Sequence, residues 1–129
     1  TSLALAGLLE MREEIIAAGG REENLRWIGA STVQELLGAR ERISGSGRML
    51  WDDGGILGRP AHATRLAPAA ALVCGDFGKA IVALWGAGLR IEIDPFTAFQ
   101  TGVLSARVVL DVDFAFPQPA AFSVASSIT

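Results

Sequence analysis

Near its beginning, the chain repeats its apolar residues with a helical period. From Leu3 to Ala18, apolar side chains recur every three or four positions, with charged residues between them. This spacing predicts an amphipathic helix with one buried stripe. Thr1 or Ser2 can cap its beginning, and Gly19-Gly20 is expected to end it, because glycine readily adopts the left-handed conformation found after helices.

A strand and a second helix are predicted next. Leu25–Ala30 is short, apolar and rich in residues that favour strands. The following helix is predicted to begin at Ser31 or Thr32 and to end at Arg42, and Thr32 and Glu35 have the spacing of a capping box. Helix, strand and helix in this order predict a mixed α and β fold, in which helices and strands pack against one another.

The remainder of the chain reads almost entirely as strands, separated by glycine and proline. Pro60 disfavours helix at the residue before it, and several runs alternate or are apolar throughout. Extended segments are predicted at Arg48–Trp51, Gly58–Thr64, Ala71–Phe77, Val103–Phe116 and Ala120–Ala125.

A β-hairpin is predicted from two adjacent segments, Ala80–Trp85 and Leu89–Asp94. In the second, apolar and charged residues alternate strictly, which is the pattern of a strand with one buried face. Gly86-Ala87-Gly88 would form the turn between them, with glycines where the backbone needs a positive φ.

Composition narrows the possible classes of protein. The chain has 129 residues, of which 50% are hydrophobic and 19% charged, so it can form a folded core. A net charge of −3 with scattered arginines predicts no specific binding to nucleic acid. No apolar run has the length of about 18 residues that a membrane span needs, and the acids of the first helix argue against a signal peptide.

The sequence offers weak candidates for chemistry. The glycines at 86–88 lie between strands, whereas a phosphate-binding loop leads into a helix. Asp52-Asp53 and the pair Asp111 and Asp113 each supply too few ligands for a metal site. We therefore expect no cofactor, no metal and no catalytic residue.

The chain contains one histidine and one cysteine. His62 is expected to be an ordinary exposed or hydrogen-bonded histidine, and Cys74 a small buried side chain that forms no disulfide within the chain. Trp27 and Trp51 are expected in the core, with Trp85 partly exposed beside the predicted turn.

Three motifs occur in a distinctive order. Gly58-Arg59-Pro60-Ala61 precedes Gly75-Asp76-Phe77, and Pro119-Ala120-Ala121-Phe122 lies near the end. In this order the chain resembles the C-terminal part of tailed-bacteriophage major capsid proteins, whose fold is named after phage Hong Kong 97. The resemblance covers nearly the whole chain and is best from Trp51 to Val124.

The resemblance implies an α+β fold, with a mixed sheet flanked by two helices and extended by a β-hairpin. It implies an axial domain at residues 1–74, strands of a peripheral domain at 75–112 and a return strand at 113–129. The family's N-terminal arm, extended loop and spine helix would precede Thr1, so this piece alone is not expected to close a shell. Residues 96–102 lack the asparagine through which some members cross-link, so cross-linking is not implied.

The implied function is structural: a major capsid protein of a phage or prophage, not an enzyme, that assembles with copies of itself into pentamers and hexamers. Scaffolding or portal proteins are further possible partners; no membrane is involved. The protein would reside in the virion, and in the bacterial cytoplasm during assembly. Subunit contacts are predicted at Trp85, Phe96, Phe99 and Gln100.

Two other functions stay open on sequence alone. One is a small ligand-binding or enzymatic α+β domain with a cleft near Trp51, His62 and Asp76. The other is a head–tail adaptor of a phage, which shares the logic of repeated assembly. A cleft with converging polar groups would favour the first.

Overall fold

The computed structural model describes residues 3–97 and 99–129, apart from the side chains of Ala87 and Phe99. The chain forms two compact units. The first runs to Lys79 and resumes at Gln118–Thr129, and the second comprises Ala80–Pro117. Thr1 and Ser2, the predicted caps of the first helix, lie outside the described residues.

Two helices belong to the first unit, α1 at Leu5–Ala17 and α2 at Ser31–Gly38. Helix α1 buries Leu8, Met11 and Ile15, as its spacing predicted. It ends where Gly19 adopts a φ of 81° and the Gly20 amide donates to the Ile15 carbonyl at 2.9 Å. The predicted glycine stop is therefore confirmed.

Helix α2 begins at Ser31, as predicted, but the predicted capping box and the predicted end at Arg42 are wrong. Its N-cap is Ala30, so Thr32 lies inside the first turn and forms no capping box. The reason is that Ala30 is still held to the sheet, through its amide to the Ala71 carbonyl at 3.1 Å. The helix ends at Gly38 rather than Arg42, because Glu41 forms a β-bridge with Met49.

Six strands of the first unit form one mixed sheet in the order β2-β3-β4-β1-β5-β8. Strands β1 and β4 are parallel, and the other neighbours are antiparallel. The strands are β1 (Leu25–Gly29), β2 (Trp51–Asp52), β3 (Gly55–Ile56), β4 (Arg59–Ala63), β5 (Leu72–Asp76) and β8 (Phe122–Ala125).

The core of this unit lies between the sheet and the two helices. Helix α1 packs against β5 and β8, while α2 packs against β2. Trp27, Trp51 and Cys74 are buried, as expected from the sequence. The fully buried aliphatic side chains are Leu8, Ile15, Leu25, Val33, Leu37, Leu50, Ile56 and Leu72. Among the described residues, no helix is long and apolar enough to cross a bilayer.

The second unit is a two-stranded antiparallel ribbon of β6 (Ile81–Asp94) and β7 (Ser105–Ala115). A β-hairpin extension is thus present, but the predicted turn at Gly86–Gly88 is wrong. The chain instead turns within residues 95–104, and β6 continues through both predicted strands.

A bulge explains the two glycines. Between Trp85 and Arg90, β6 advances five residues while its partners on β7 advance only two, from Asp111 to Val109. Gly86 and Gly88 take φ values of 73° and 76° and so accommodate the three extra residues. Local sequence could not distinguish this bulge from a turn, because both need glycine at positive φ.

The boundaries of the two units follow the ribbon. The chain passes from the first unit to the second after Lys79 and returns after Pro117. The family resemblance implied that these changes come after residues 74 and 112. Assignment of the two units to an axial and a peripheral domain stays a prediction.

Candidate assembly surface

The register of the ribbon places its apolar residues on one side. Paired residues of an antiparallel ladder point to the same face, and side chains alternate along each strand. Applied to the observed pairs, this rule assigns nine apolar residues to one face and none with a charge. We call this the apolar face: Val82, Leu84, Ile91, Ile93, Ala106, Val108, Leu110, Val112 and Phe114.

The apolar face is open to solvent in the described part of the chain. Its large side chains range in exposure from 41% at Val112 to 66% at Ile93. A monomer rarely leaves so continuous an apolar surface in water, and a two-stranded ribbon is only marginally stable by itself. The apolar face is therefore suited to burial against another protein surface.

The opposite face of the ribbon carries the charges. It presents Arg90, Glu92, Arg107 and Asp111, with Trp85 beside the bulge. Arg90 Nη2 lies 3.6 Å from Asp111 Oδ2, and Arg107 Nε donates to Glu92 Oε2 at 2.9 Å. Exposed ion pairs contribute little to stability, but they keep this face compatible with water.

The paired acids on this face do not make a metal site. Asp111 and Asp113 share the face, as predicted, opposite Trp85 and Ala83. Asp111 pairs with Arg90, and the Asp113 carboxylate accepts the Phe114 amide at 2.8 Å. Within the described residues, no group of three or more histidine, cysteine or acidic side chains could hold a metal ion.

The loop of the ribbon begins with an ordered turn. The Asp94 carboxylate accepts the amides of Phe96 and Thr97 at 2.9 and 3.2 Å and the Thr97 hydroxyl. These three hydrogen bonds stabilise the charged carboxylate and so lower the pKa of Asp94. The bond from the Thr97 hydroxyl has the largest effect, and the two amide bonds come next. The turn fixes the backbone that carries Phe96, whose side chain is 83% exposed.

The predicted contact residues occupy two places along the ribbon. Trp85 is 54% exposed and pairs with Asp111 at the bulge, whereas Phe96 and Gln100 are exposed in the loop beyond Asp94. The backbone of Phe99 lies in the same loop, but its side chain is outside the described part of the structure. Asp94, where the loop begins, pairs with Ser105, six positions along β7 from Asp111, so Trp85 and the start of the loop are about 20 Å apart. They are thus not one patch.

The Gly-Asp-Phe motif has a structural explanation. Gly75 pairs with Phe122 on β8, and the Phe122 ring covers it so closely that a β-carbon there would lie 2.5 Å from Cε1. The next aromatic residue, Phe77, packs its ring edge to face with Phe122, with centroids 5.4 Å apart. Glycine is needed because the ring occupies the space of its missing side chain.

Asp76 completes the motif as a buried carboxylate, only 1% exposed. Its Oδ2 accepts the Arg21 amide at 2.9 Å and its Oδ1 the Gly78 amide at 3.0 Å. These bonds join the end of β5 to the segment after α1. Both oxygens are used to hold backbone, so the residue stabilises the fold.

Asp76→Asn should therefore destabilise the protein although the shapes are alike. One carboxylate oxygen becomes an NH₂ group facing a backbone N–H, so at least one charge-assisted bond is lost. We expect the free energy of unfolding to fall by about 2 kcal/mol. Urea unfolding of the unassembled protein measures this, with Asp53→Asn, an exposed turn residue, as the control. Equal stabilities of the two variants would contradict the assigned role.

The other candidates for chemistry differ in their burial. Burial raises the pKa of the Cys74 thiol to about 12, so it stays protonated at physiological pH. His62 is exposed on β4, whereas Trp51 and Asp76 are buried. The three side chains therefore do not all face solvent, as the lining of an open cleft would.

Two depressions on the first unit also lack converging catalytic groups. One, of about 560 Å³, lies over the turn between β2 and β3 and mixes arginine with aspartate. The other, of about 290 Å³, lies beside Asp76 and Lys79. Neither contains His62. The first is lined by Arg42, Arg48, Asp52, Asp53, Gly54, Gly55, Gly58, Arg59 and Pro60.

Comparison with known proteins finds capsid proteins both by sequence and by structure. A stretch of 82 residues, 64% of this chain, is 33% identical to the major capsid protein of Halomonas phage phiHAP-1, and this match spans 14% of that protein. Among solved structures, the capsid of an empty GTA particle aligns with 93% of this chain at a TM-score of 0.66 and 22% identity. No protein-family profile matches.

The chain has the fold of phage capsid proteins. A second solved structure, the procapsid of satellite phage P4 with its size determination protein, supports this with a TM-score of 0.58 over 97% of the chain at 14% identity. The α+β capsid fold predicted from the sequence is confirmed. The chain spans 44% and 39% of the two matched capsid chains.

Proposed function

We propose that this chain is part of a phage or prophage major capsid protein, and that copies of the protein assemble into the pentamers and hexamers of an icosahedral shell. The apolar face of the ribbon carries the proposal. Combined with a capsid fold and a similar major capsid protein, so large an exposed apolar surface fits a protein that works through its contacts.

Ring formation sets a requirement on these contacts. Closed rings of five or six subunits need heterologous interfaces, in which one patch meets a different patch of the neighbouring copy. The ribbon offers several different patches for such interfaces: an apolar face, a charged face, and a loop that is separate from both. We propose the first unit as the axial domain and the ribbon as part of the peripheral domain.

The remaining roles follow from the same proposal. The protein would be structural rather than catalytic, would reside in the virion after assembling in the bacterial cytoplasm, and could also contact scaffolding or portal proteins. Burial of the Cys74 thiol, and of Trp51 and Asp76, supports a structural role.

Sedimentation of the full-length gene product tests the proposal. Expressed by itself and purified at neutral pH, it should sediment as rings of five or six subunits or as larger shells. A monomer that remains soluble at every concentration would contradict the proposal, because the apolar face would then need no partner.

Trp85→Ala and Phe96→Ala should each weaken assembly while leaving the fold unchanged. Both side chains are mostly exposed, so truncation removes contact with a neighbour rather than core packing. A buried aromatic anchor contributes about 2 kcal/mol or more to an interface, which would raise the concentration needed for assembly at least tenfold.

Light scattering against protein concentration gives that threshold. His62→Ala is the matched control, because it also truncates an exposed ring but lies on the first unit. An unchanged threshold in Trp85→Ala or Phe96→Ala would remove that residue from the proposed interface.

A further inference from the structure

Lys79 and Gln118 meet at the point where the chain leaves the first unit and returns to it. Lys79 Nζ donates to Gln118 Oε1 at 2.7 Å, across 39 residues of sequence. Lys79 directly precedes the second unit, and Gln118 directly follows it. This bond therefore joins the two chain segments just outside the last pair of the ribbon, Ile81 with Ala115.

Both side chains are also fixed to the C-terminal end of α1. Lys79 Nζ donates to the Gly19 carbonyl at 2.7 Å, and Gln118 Nε2 donates to the Ala18 carbonyl at 2.7 Å. The last turn of α1 has no basic residue of its own, so Lys79 supplies the positive charge that a helix C-terminus favours. Lys79 is the only lysine in the sequence; the other basic residues are arginines.

The ribbon needs a device that sets its register. A tight two-residue turn would fix the register by geometry, but here the strands are joined through residues 95–104. The bulge at Gly86 and Gly88 adds a place where pairing can shift. A slip of one residue would move half of the apolar face to the charged side.

We propose that Lys79 and Gln118 form a clamp that sets the pairing register of the ribbon from its open end. With the two flanking segments held side chain to side chain, Ile81 is placed opposite Ala115 and the alternation of both strands follows. The clamp thereby keeps the apolar face continuous. It is a positioning element, and it contacts no assembly partner itself.

Hydrogen exchange in the full-length gene product tests the clamp. Lys79→Met keeps the length of the side chain but removes its donors, so ribbon amides at residues 81–94 and 105–115 should exchange about tenfold faster. Amides of β1 and β5 in the sheet should keep their rates. Ser123→Ala, which removes the Ser123 bond to Glu14 on the same helix, is the control and should leave the ribbon unchanged.

The variant Gln118→Glu distinguishes a clamp that sets the register from a contact that only caps the end of α1. Glutamate still accepts from Lys79 but can no longer donate to the Ala18 carbonyl. We expect protection of the ribbon to survive in Gln118→Glu and to be lost in Gln118→Leu. If both variants and Lys79→Met loosen only the last turn of α1, the clamp does not set the register and the proposal fails.

Discussion

Gly75→Ala will destabilise the protein by about 3 kcal/mol, although it adds a single methyl group. The new β-carbon would lie 2.5 Å from Phe122 Cε1 and 2.9 Å from Cγ, far inside van der Waals contact. The ring cannot simply move away, because Phe122 is paired with Gly75 in the sheet and packs on Phe77. Overpacking of this kind typically costs about 1–3 kcal/mol and sometimes more.

Urea unfolding of the unassembled protein provides the measurement. Gly38→Ala is the matched control, because a β-carbon there meets nothing within 4 Å and the residue ends a helix. We expect that control to change stability by less than about 1 kcal/mol. Adding Phe122→Val to Gly75→Ala should recover part of the loss. Equal stability of the Gly75 and Gly38 variants would show that the ring does not require glycine.

Val112→Asp will greatly weaken assembly of the full-length protein. Val112 lies on the apolar face, paired with Leu84 and next to Phe114 along the strand. When this face is covered, a carboxylate in its middle loses its water without gaining a partner, which costs several kcal/mol. Every contact in the particle carries the same cost, so the threshold for assembly should rise by about 10³-fold or more.

Val109→Asp is the matched control for that experiment. It makes the same substitution on the same strand, but Val109 pairs with Arg90 on the charged face, where a carboxylate finds a cation. We expect Val109→Asp to assemble at nearly the wild-type threshold in light scattering. Normal assembly of Val112→Asp, or an equal defect in both variants, would mean that the apolar face is not an assembly contact.

Elements whose burial is set by local pattern could be predicted from the sequence. Helix α1 and strand β5 lie within a residue or two of their predicted ranges, because the period of their apolar residues reports directly which side is buried. The order of motifs around Gly75-Asp76-Phe77 led correctly to the capsid fold, and the structure explains each of its three residues.

Elements decided by distant pairing could not be predicted. The prediction of a turn at Gly86–Gly88 was wrong because the strand that pairs with β6 lies beyond residue 104. The local sequence of a bulge and that of a turn are alike. The prediction of a capping box at Thr32 was wrong because the Ala30 amide donates across the sheet to the Ala71 carbonyl. In both cases a long-range hydrogen bond outweighed a local preference.

The contact residues predicted from the sequence stay a prediction, and the sequence reasoning named only part of the exposed apolar surface. Trp85 and Phe96 were predicted as contact residues from their place near turns, and both are exposed. The apolar face was missed, although Val108, Leu110 and Val112 alternate with other residues in the sequence. That alternation indicates one apolar side of β7, but only the register with β6 reveals that both strands contribute to the same face.

Electron microscopy of the full-length gene product, expressed alone and together with its flanking genes, tests the central claim most directly. If the protein is a capsid subunit, the images will contain closed icosahedral shells built from rings of five and six copies. Uniform particles of one or a few subunits in both preparations, with no rings or shells, would contradict a capsid function for this protein.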